Sequence, residues 1–222
     1  MNLPQIKSRG SLTEKTYNTL KRAILDLDLK PGQLLTEEEL SEQLGVSRTP
    51  LRAALNKLEY ENLIKITPGR GTYVAELSLE YMEDIFDVRE AVDMLSVRLA
   101  AERKTDEDIK EMDYLVEQQE LLLKDKEFDV KQFIKLDIDF HCIISKAANN
   151  KVLERLTLQL VENYNRYILA APFLDRASTI VSEHKQIIKA IKESNGEEAA
   201  KIVQNHVNDI RESLKERIKK IL

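Results

Sequence analysis

The uneven placement of glycine and proline divides this chain into two regions of different architecture. Five of its six glycines lie before residue 72, and four of its five prolines lie before residue 69. Both residue types mark turns, so the first third predicts a small domain with several tight turns. The remainder consists of long amphipathic segments with short breaks, which is typical of a helical bundle. We therefore expect a mainly α protein with two domains, residues 1–77 and 78–222.

Composition limits the class of protein further. Charged residues make up 33% and apolar residues 42%, which suits a soluble, helix-rich protein. The single cysteine, Cys142, excludes an intramolecular disulfide and fits a reducing compartment. The opening residues MNLPQIKSRG lack the apolar core of a signal peptide, and no run approaches the ~18 apolar residues of a membrane span. We expect a cytoplasmic protein with no membrane partner.

The first domain has the pattern of a winged helix-turn-helix. Helical spacing of apolar residues from Leu12 to Leu27 predicts a first helix. Thr36 with Glu39 has the form of a capping box that opens a short second helix, EEELSEQLG. Ser47 is expected to cap a third helix, RTPLRAALNKLEYEN. The run LIKITPGRGTYVAEL, with two β-branched stretches around a proline and two glycines, predicts a β-hairpin.

The third helix carries the residues expected to read DNA. Its inward stripe consists of Leu51, Leu55 and Leu58. Arg48, Arg52 and Asn56 lie on another face at a spacing of four, and Arg and Asn contact guanine and adenine edges in the major groove. Arg70, between two glycines at the hairpin tip, is placed to reach phosphates or a minor groove. Alternatively, the trio is an ordinary solvated face. Residues 1–75 carry 11 positive against 9 negative side chains, which is only weak support for DNA binding.

The second domain predicts six helices. Their expected spans are about 79–101, 105–124, 127–148, 151–170, 174–193 and 196 to the C-terminus. All three histidines of the chain lie on apolar stripes of these helices, one each on the third, fifth and sixth. They are His141, His184 and His206, and Asp137 lies one turn before His141 on the same face.

Each histidine taken singly is more often a satisfied core residue than a metal ligand. Taken together, three buried imidazoles and a carboxylate without partners cost ~1–3 kcal/mol for each unsatisfied group. One divalent ion would satisfy all four groups, and this ligand set suits zinc, nickel, manganese or iron. Cys142 points elsewhere on its helix and is expected to be a small buried hydrophobe.

Two motifs also carry a resemblance to a known family. The run LTEEELSEQLGVSRTPLRAALNKLEYENLIKITPGRGTYV resembles the DNA-binding domain of GntR-type bacterial transcription regulators, with SRTPLR and GRGTYV as its most specific parts. The resemblance adds Thr49, within SRTPLR, to the DNA-contact candidates. Glu38 stands where many relatives have a DNA-contacting arginine, and Ala53 replaces a common glutamate.

The segments DIDFH, SEHKQII and QNHV resemble the metal-binding pattern of the FCD effector domain, which occurs in the FadR subfamily of the GntR group. The resemblance implies an all-helical effector domain with an ion at the floor of a cavity. It assigns the metal ligands to Asp137, His141, His184 and His206. A small carboxylate effector on the open ligand positions would pair with a buried arginine. Arg89, in DVRE, matches an arginine common in the family, and Arg166 is a second candidate; either is otherwise an ordinary ion-pair arginine.

These features favour a ligand-responsive transcription regulator, a repressor that binds a pseudo-palindromic operator as a homodimer. Its partners would be double-stranded operator DNA and a small carboxylate, and catalytic residues are not expected. Two alternatives stay open at this point. One is a metalloenzyme acting on a small carboxylate, although no HExxH or comparable motif is present. The other is a regulator that senses the metal itself.

Overall fold

The computed structural model describes residues 10–125, 127–172 and 174–222. The chain divides into two compact units, Met1–Leu77 and Ser78–Leu222, and each is described by itself. The protein is mainly α-helical, with one small sheet in the first unit, as the sequence predicts. Across the described ranges, no helix is both long enough and apolar enough to span a bilayer.

The first unit is a winged helix-turn-helix. Its helices are α1 (Gly10–Leu25), α2 (Glu37–Leu44) and α3 (Arg48–Tyr60). Gly45 joins the last two with a φ of 62°, a left-handed conformation that glycine adopts without the steric cost of a Cβ. Packing of α1 and α2 on α3 forms a core that includes Ile24, Leu40 and Leu58. Leu12, which the sequence places on the inward stripe of α1, is instead 47% exposed, because it belongs to the first turn of the helix.

The sheet of this unit has three strands rather than the two of the predicted hairpin. The strands are β1 (Leu34–Leu35), β2 (Ile64–Thr67) and β3 (Gly71–Val74), in the order β1-β3-β2 with both pairings antiparallel. A strand of two residues has no periodicity, so β1 could not be detected from the sequence. The β2–β3 hairpin pairs Thr67 with Gly71 and leaves Arg70 exposed at its tip.

The helix caps were predicted with mixed success. Thr36 accepts a hydrogen bond from the backbone N–H of Glu39 at 3.3 Å, so it caps α2. The Glu39 carboxylate, however, accepts from the Thr36 hydroxyl instead of completing the box through the Thr36 backbone. Ser47 occupies the N-cap position of α3 without any side-chain cap bond, contrary to the prediction.

The second unit is a bundle of six α-helices within the described residues. They are α4 (Leu79–Arg103), α5 (Asp106–Lys124), α6 (Val130–Ala147), α7 (Lys151–Ala170), α8 (Ala177–Lys192) and α9 (Gly196–Ile218). Each helix begins within about three residues of its predicted first residue. The largest differences are at α6, which Asp129 caps, and at α8, where a 3-10 turn (Leu174–Arg176) takes up the predicted first turn. Ser78 caps α4, and Thr105 with Asp108 forms a complete capping box on α5.

Helix α4 packs against four of the other helices of the bundle, namely α6, α7, α8 and α9. Three of these four, α6, α8 and α9, are the helices that carry the histidines. The bundle therefore brings the histidine-bearing faces together next to α4.

Candidate metal centre and nucleic-acid interface

The three histidines meet inside the bundle. His184 and His206 have no exposed surface, and His141 is 4% exposed. Their ring centroids lie 5.1–5.7 Å apart, and one nitrogen from each ring can be chosen so that all three lie within 4.8 Å of one another. Asp137 lies beside two of the rings: its Oδ1 is 3.5 Å from His184 Nε2, and its Oδ2 is 3.8 Å from His141 Nε2. The three histidines that the sequence singles out thus form one cluster, which Asp137 adjoins.

Hydrogen bonds at the outer edge of the cluster fix which nitrogen faces inward. His206 Nδ1 donates to Glu183 Oε2 at 2.6 Å, because a carboxylate oxygen can only accept. His184 Nδ1 is 2.9 Å from Gln119 Oε1, which likewise makes Nδ1 the donor. With Nδ1 protonated and the rings neutral, each Nε2 presents a lone pair to the interior of the cluster. This is the arrangement of metal-ligating histidines, whose second nitrogen is held by an oxygen acceptor.

Burial keeps the imidazoles neutral. It lowers the pKa of His141 and His184 well below the usual range and that of His206 to about 3, and the nearby Arg89 cation acts in the same direction. Burial raises the pKa of the Asp137 carboxyl to about 6, against the opposing effect of Arg89 and of the Tyr164 hydroxyl, which donates to Oδ2 at 2.8 Å. At neutral pH the cluster is therefore three neutral imidazoles and one carboxylate.

Three inward atoms of this cluster have no hydrogen-bond partner among the described residues. They are Asp137 Oδ1, His184 Nε2 and His206 Nε2, and all three are buried. Buried polar atoms without partners are uncommon and cost about 1–3 kcal/mol each. All three are electron-pair donors, so no hydrogen bond among them can satisfy them. A divalent cation held by the imidazole nitrogens would satisfy the two histidines, and the Asp137 oxygen beside His184 is a further ligand of the kind that such an ion accepts.

Arg89 lies against the cluster. It is fully buried, its Nε donates to Asp93 Oδ2 at 3.1 Å, and its Nη2 lies 3.1 Å from His141 Nε2. Its guanidinium also stacks over the Tyr164 ring at 3.9 Å. Arginine always donates, so His141 Nε2 is the acceptor in this contact and carries a lone pair like the other two rings.

Arg166, the second arginine candidate, lies in different surroundings. It is 4% exposed on α7, and the groups that act on its pKa besides burial are Tyr167 and Tyr81. Tyr167 contacts Ser78 at the start of α4. Of the two predicted effector arginines, Arg89 is the one that the fold brings to the histidines.

Sequence reasoning missed the residues that orient the cluster: Asp93, Gln119, Tyr164 and Glu183. Asp93 lies four residues after Arg89 on α4, so an i,i+4 ion pair could have been read from the sequence. Gln119 and Tyr164 reach the site from α5 and α7, and nothing in the sequence pairs them with a histidine or an aspartate far away in the chain. Cys142 is only partly buried, which corrects the expectation of a buried hydrophobe.

The predicted DNA-contacting residues form an exposed face on the first unit. Arg48, Thr49, Arg52 and Asn56 are all exposed on α3, whereas Leu51, Leu55 and Leu58 are buried beneath them. The sequence does not predict the ion pair that Arg52 forms on this face. Arg52 Nε donates to both carboxylate oxygens of Glu37, at 2.8 and 3.0 Å, across the turn between α2 and α3.

Comparisons with known protein families match both units. The model of the bacterial regulatory proteins of the gntR family matches residues 12–74, and that of the FCD domain matches residues 84–209. The first match covers the winged unit, and the second covers the part of the bundle that holds Arg89, Asp137 and all three histidines.

Relatives match along most of the chain. The Nta operon transcriptional regulator of Aminobacter aminovorans is 32% identical over 80% of this chain and 82% of its own. The HTH-type transcriptional repressor RspR of Escherichia coli is 26% identical over 96% of this chain and 92% of its own. The solved structure of E. coli McbR/YncC superposes with a TM-score of 0.79 at 26% identity, covering 94% of this chain and 99% of that one. These relatives, and the proteins that the gntR model describes, are transcription regulators rather than enzymes. The metalloenzyme alternative is therefore set aside.

Proposed function

Because the chain belongs to the gntR family of bacterial regulatory proteins and carries an FCD domain, we propose that this DNA-binding transcription regulator is a repressor controlled through an ion in its bundle. It would bind a pseudo-palindromic operator as a homodimer and respond to a small carboxylate. The observation that carries the proposal is the meeting of three histidine rings inside the bundle. Among the described residues, His184 Nε2, His206 Nε2 and the neighbouring Asp137 Oδ1 are buried there without hydrogen-bond partners. A cytoplasmic location is part of the proposal, because the operator DNA is there.

The proposed ligands of the ion are Asp137, His141, His184 and His206. The donor set accommodates zinc, nickel, manganese or iron. The ion would supply a positive centre to which a carboxylate oxygen of the effector binds. For His141 to join the ligands through Nε2, Arg89 has to release its present contact with that nitrogen. We propose that the guanidinium then turns to the effector carboxylate, for which its planar fork is suited.

Arg89 is favoured for this role because its Nη1 is buried with no hydrogen-bond partner among the described residues, so it retains donor capacity beside the cluster. Arg166 remains a second proposed effector contact, with weaker support from its position near the start of α4. Arg89 lies on α4, the helix that directly follows the winged unit in the chain, so its movement would act on that helix.

The proposed DNA contacts are Arg48, Thr49, Arg52 and Asn56 on α3 and Arg70 at the hairpin tip. Their support is exposure: each presents polar groups to solvent from α3 or from the hairpin tip. Repression is proposed from the relative RspR, whose name describes a transcriptional repressor. A homodimer is proposed because two-fold recognition of an operator needs two copies of the winged unit.

Operator titration tests the proposal. Duplexes that bind the protein are first selected from a random library, and the best one is titrated with Zn²⁺-loaded protein, with chelator-treated protein, and with Zn²⁺-loaded protein plus a pool of small carboxylates. The proposal expects sequence-selective binding and a change of about 5- to 150-fold caused by the carboxylate pool. A change caused by the metal alone would favour the metal-sensing alternative. Absence of sequence-selective binding would contradict the proposed operator recognition.

A further inference from the structure

An apolar cavity opens next to the histidine cluster and shares one residue with it. The cavity has a volume of about 30 Å³, and Asp137 is the one polar residue among its described lining. The other nine lining residues are apolar, and four of them are Phe133, Ile134, Ile180 and Ile210.

These four residues place the cavity one helical turn from the proposed ligands. Phe133 and Ile134 precede Asp137 on α6 by four and three residues. Ile180 precedes His184 on α8 by four residues, and Ile210 follows His206 on α9 by four residues. The same three helices therefore contribute to both the cluster and the cavity, and Asp137 belongs to both.

From this juxtaposition we infer that the effector is a monocarboxylate with a short apolar tail of about two to three carbons. The inference rests on the proposed function, since the carboxylate end is the part held at the ion and Arg89. A single water needs about 10–15 Å³ of such volume, so the cavity has room for two or three methyl-sized groups. A sugar acid or a dicarboxylate would place hydroxyl or carboxylate groups against side chains that cannot hydrogen-bond with them.

The size of the expected preference follows from transfer energetics. Each buried CH₂ group raises affinity about fourfold, which corresponds to ~0.8 kcal/mol. Butanoate, with two more carbons than acetate, should therefore bind about 15-fold more tightly. Hydroxyls on the same two carbons, as in 3,4-dihydroxybutanoate, should weaken binding about tenfold or more, because each loses its water without gaining a partner. Octanoate exceeds the cavity and should gain nothing over butanoate.

The test is calorimetric titration of the full-length, Zn²⁺-loaded protein with acetate, butanoate, 3,4-dihydroxybutanoate and octanoate. In Ile134→Ala the cavity is enlarged, and octanoate should gain affinity relative to butanoate. Leu153→Ala is the matched control: Leu153 is also buried in the bundle, in a separate cluster with Val92 and Ala148, and its loss should leave the preference unchanged. If Ile134→Ala does not fold, the wild-type series alone decides.

The outcomes separate this inference from the proposed function. Zn²⁺ binding together with equal affinity for acetate and butanoate, or for butanoate and its dihydroxy analogue, overturns the apolar-tail inference and leaves the metal site standing. Zn²⁺ binding with no measurable binding of any of the four acids overturns the inference and the carboxylate part of the proposed function. Failure to bind Zn²⁺ at all removes the site on which both rest.

Discussion

Arg89 shows how one residue can have both a structural and a functional part in the bundle. It is a fully buried cation whose Nε pairs with Asp93, and it also contacts His141. The sequence could predict that an arginine in DVRE matters, but not that its partner is a buried carboxylate, because burial of Asp93 depends on the packing of α4 against several helices at once.

Removing Arg89 should therefore destabilise the fold. In Arg89→Ala the Asp93 carboxylate stays buried without its partner, so the free energy of unfolding should fall by about 3–5 kcal/mol. The double variant Arg89→Met with Asp93→Leu removes both charges and should recover most of that loss. Urea unfolding of the three proteins, all free of metal, measures the difference. A single variant as stable as the wild type would show that the pair is not needed to stabilise the bundle.

Glu37 should restrain DNA binding through Arg52. The Glu37 carboxylate accepts hydrogen bonds from the guanidinium of Arg52, a proposed recognition-helix residue. It also adds a negative charge where DNA phosphates would approach. Glu37→Gln should raise the affinity for duplex DNA severalfold. The matched control is Glu38→Gln, the next residue of the same helix turn, which removes the same charge without releasing Arg52. Fluorescence anisotropy at two salt concentrations compares them; lower affinity in Glu37→Gln would mean that the glutamate instead positions Arg52 for binding.

Among the helices and strands, the sequence predicts the features that depend only on neighbouring residues in the chain. Apolar spacing and caps located every α-helix to within a few residues, because periodicity and cap residues act over one or two turns. The errors have the same origin. Strand β1 exists only because β3 pairs with it, and Ser47 has a cap residue's identity without a cap bond.

The N-cap residues of α2 and α3, Thr36 and Ser47, compare a cap that makes a side-chain hydrogen bond with one that does not. Thr36→Ala removes an observed side-chain bond to the Glu39 N–H and should lower the free energy of unfolding by about 0.5–2 kcal/mol. Ser47→Ala removes no such bond and should cost less. Denaturant unfolding followed by circular dichroism distinguishes them. If both substitutions have the same cost, the cap geometry described here does not determine the stability of α2 and α3.

At the scale of the whole molecule, α4 has apolar residues on two sides. One side lines the bundle core, and the other exposes Val88, Ala91 and Leu95 at helical spacing, with Val88 51% and Leu95 43% exposed. An exposed apolar stripe of this kind is typical of an interface. It is the surface that we propose for the homodimer.

Negative charge on the exposed stripe of α4 should separate the two copies of the proposed homodimer. In the double variant Val88→Glu with Leu95→Glu, the like charges of two facing stripes repel, so the protein should become monomeric and lose most of its affinity for a two-fold operator. Sedimentation velocity gives the oligomeric state. The control is the double variant Lys110→Glu with Glu107→Lys, on the exposed surface of α5. Its oligomeric state should be that of the wild type. A double variant that stays dimeric would place the interface elsewhere.

The candidate site could be predicted in part. Its four proposed ligands could be named because three histidines on apolar stripes are few enough to be matched with one another. Gln119, Tyr164 and Glu183 could not be named, since each meets its partner only through tertiary packing. The Gln119 and Glu183 contacts turn the lone pairs of His184 and His206 inward, and Tyr164 holds Asp137.

The metal content of the protein tests most directly whether Asp137, His141, His184 and His206 hold one divalent ion. Protein purified without chelator should contain about one zinc, nickel, manganese or iron ion per chain by elemental analysis. The double variant His184→Ala with His206→Ala, which removes two of the three unpaired inward atoms, should lose most of it while keeping its helical content. Full metal occupancy in that variant, or no metal in the wild type even after incubation with Zn²⁺, would contradict the account.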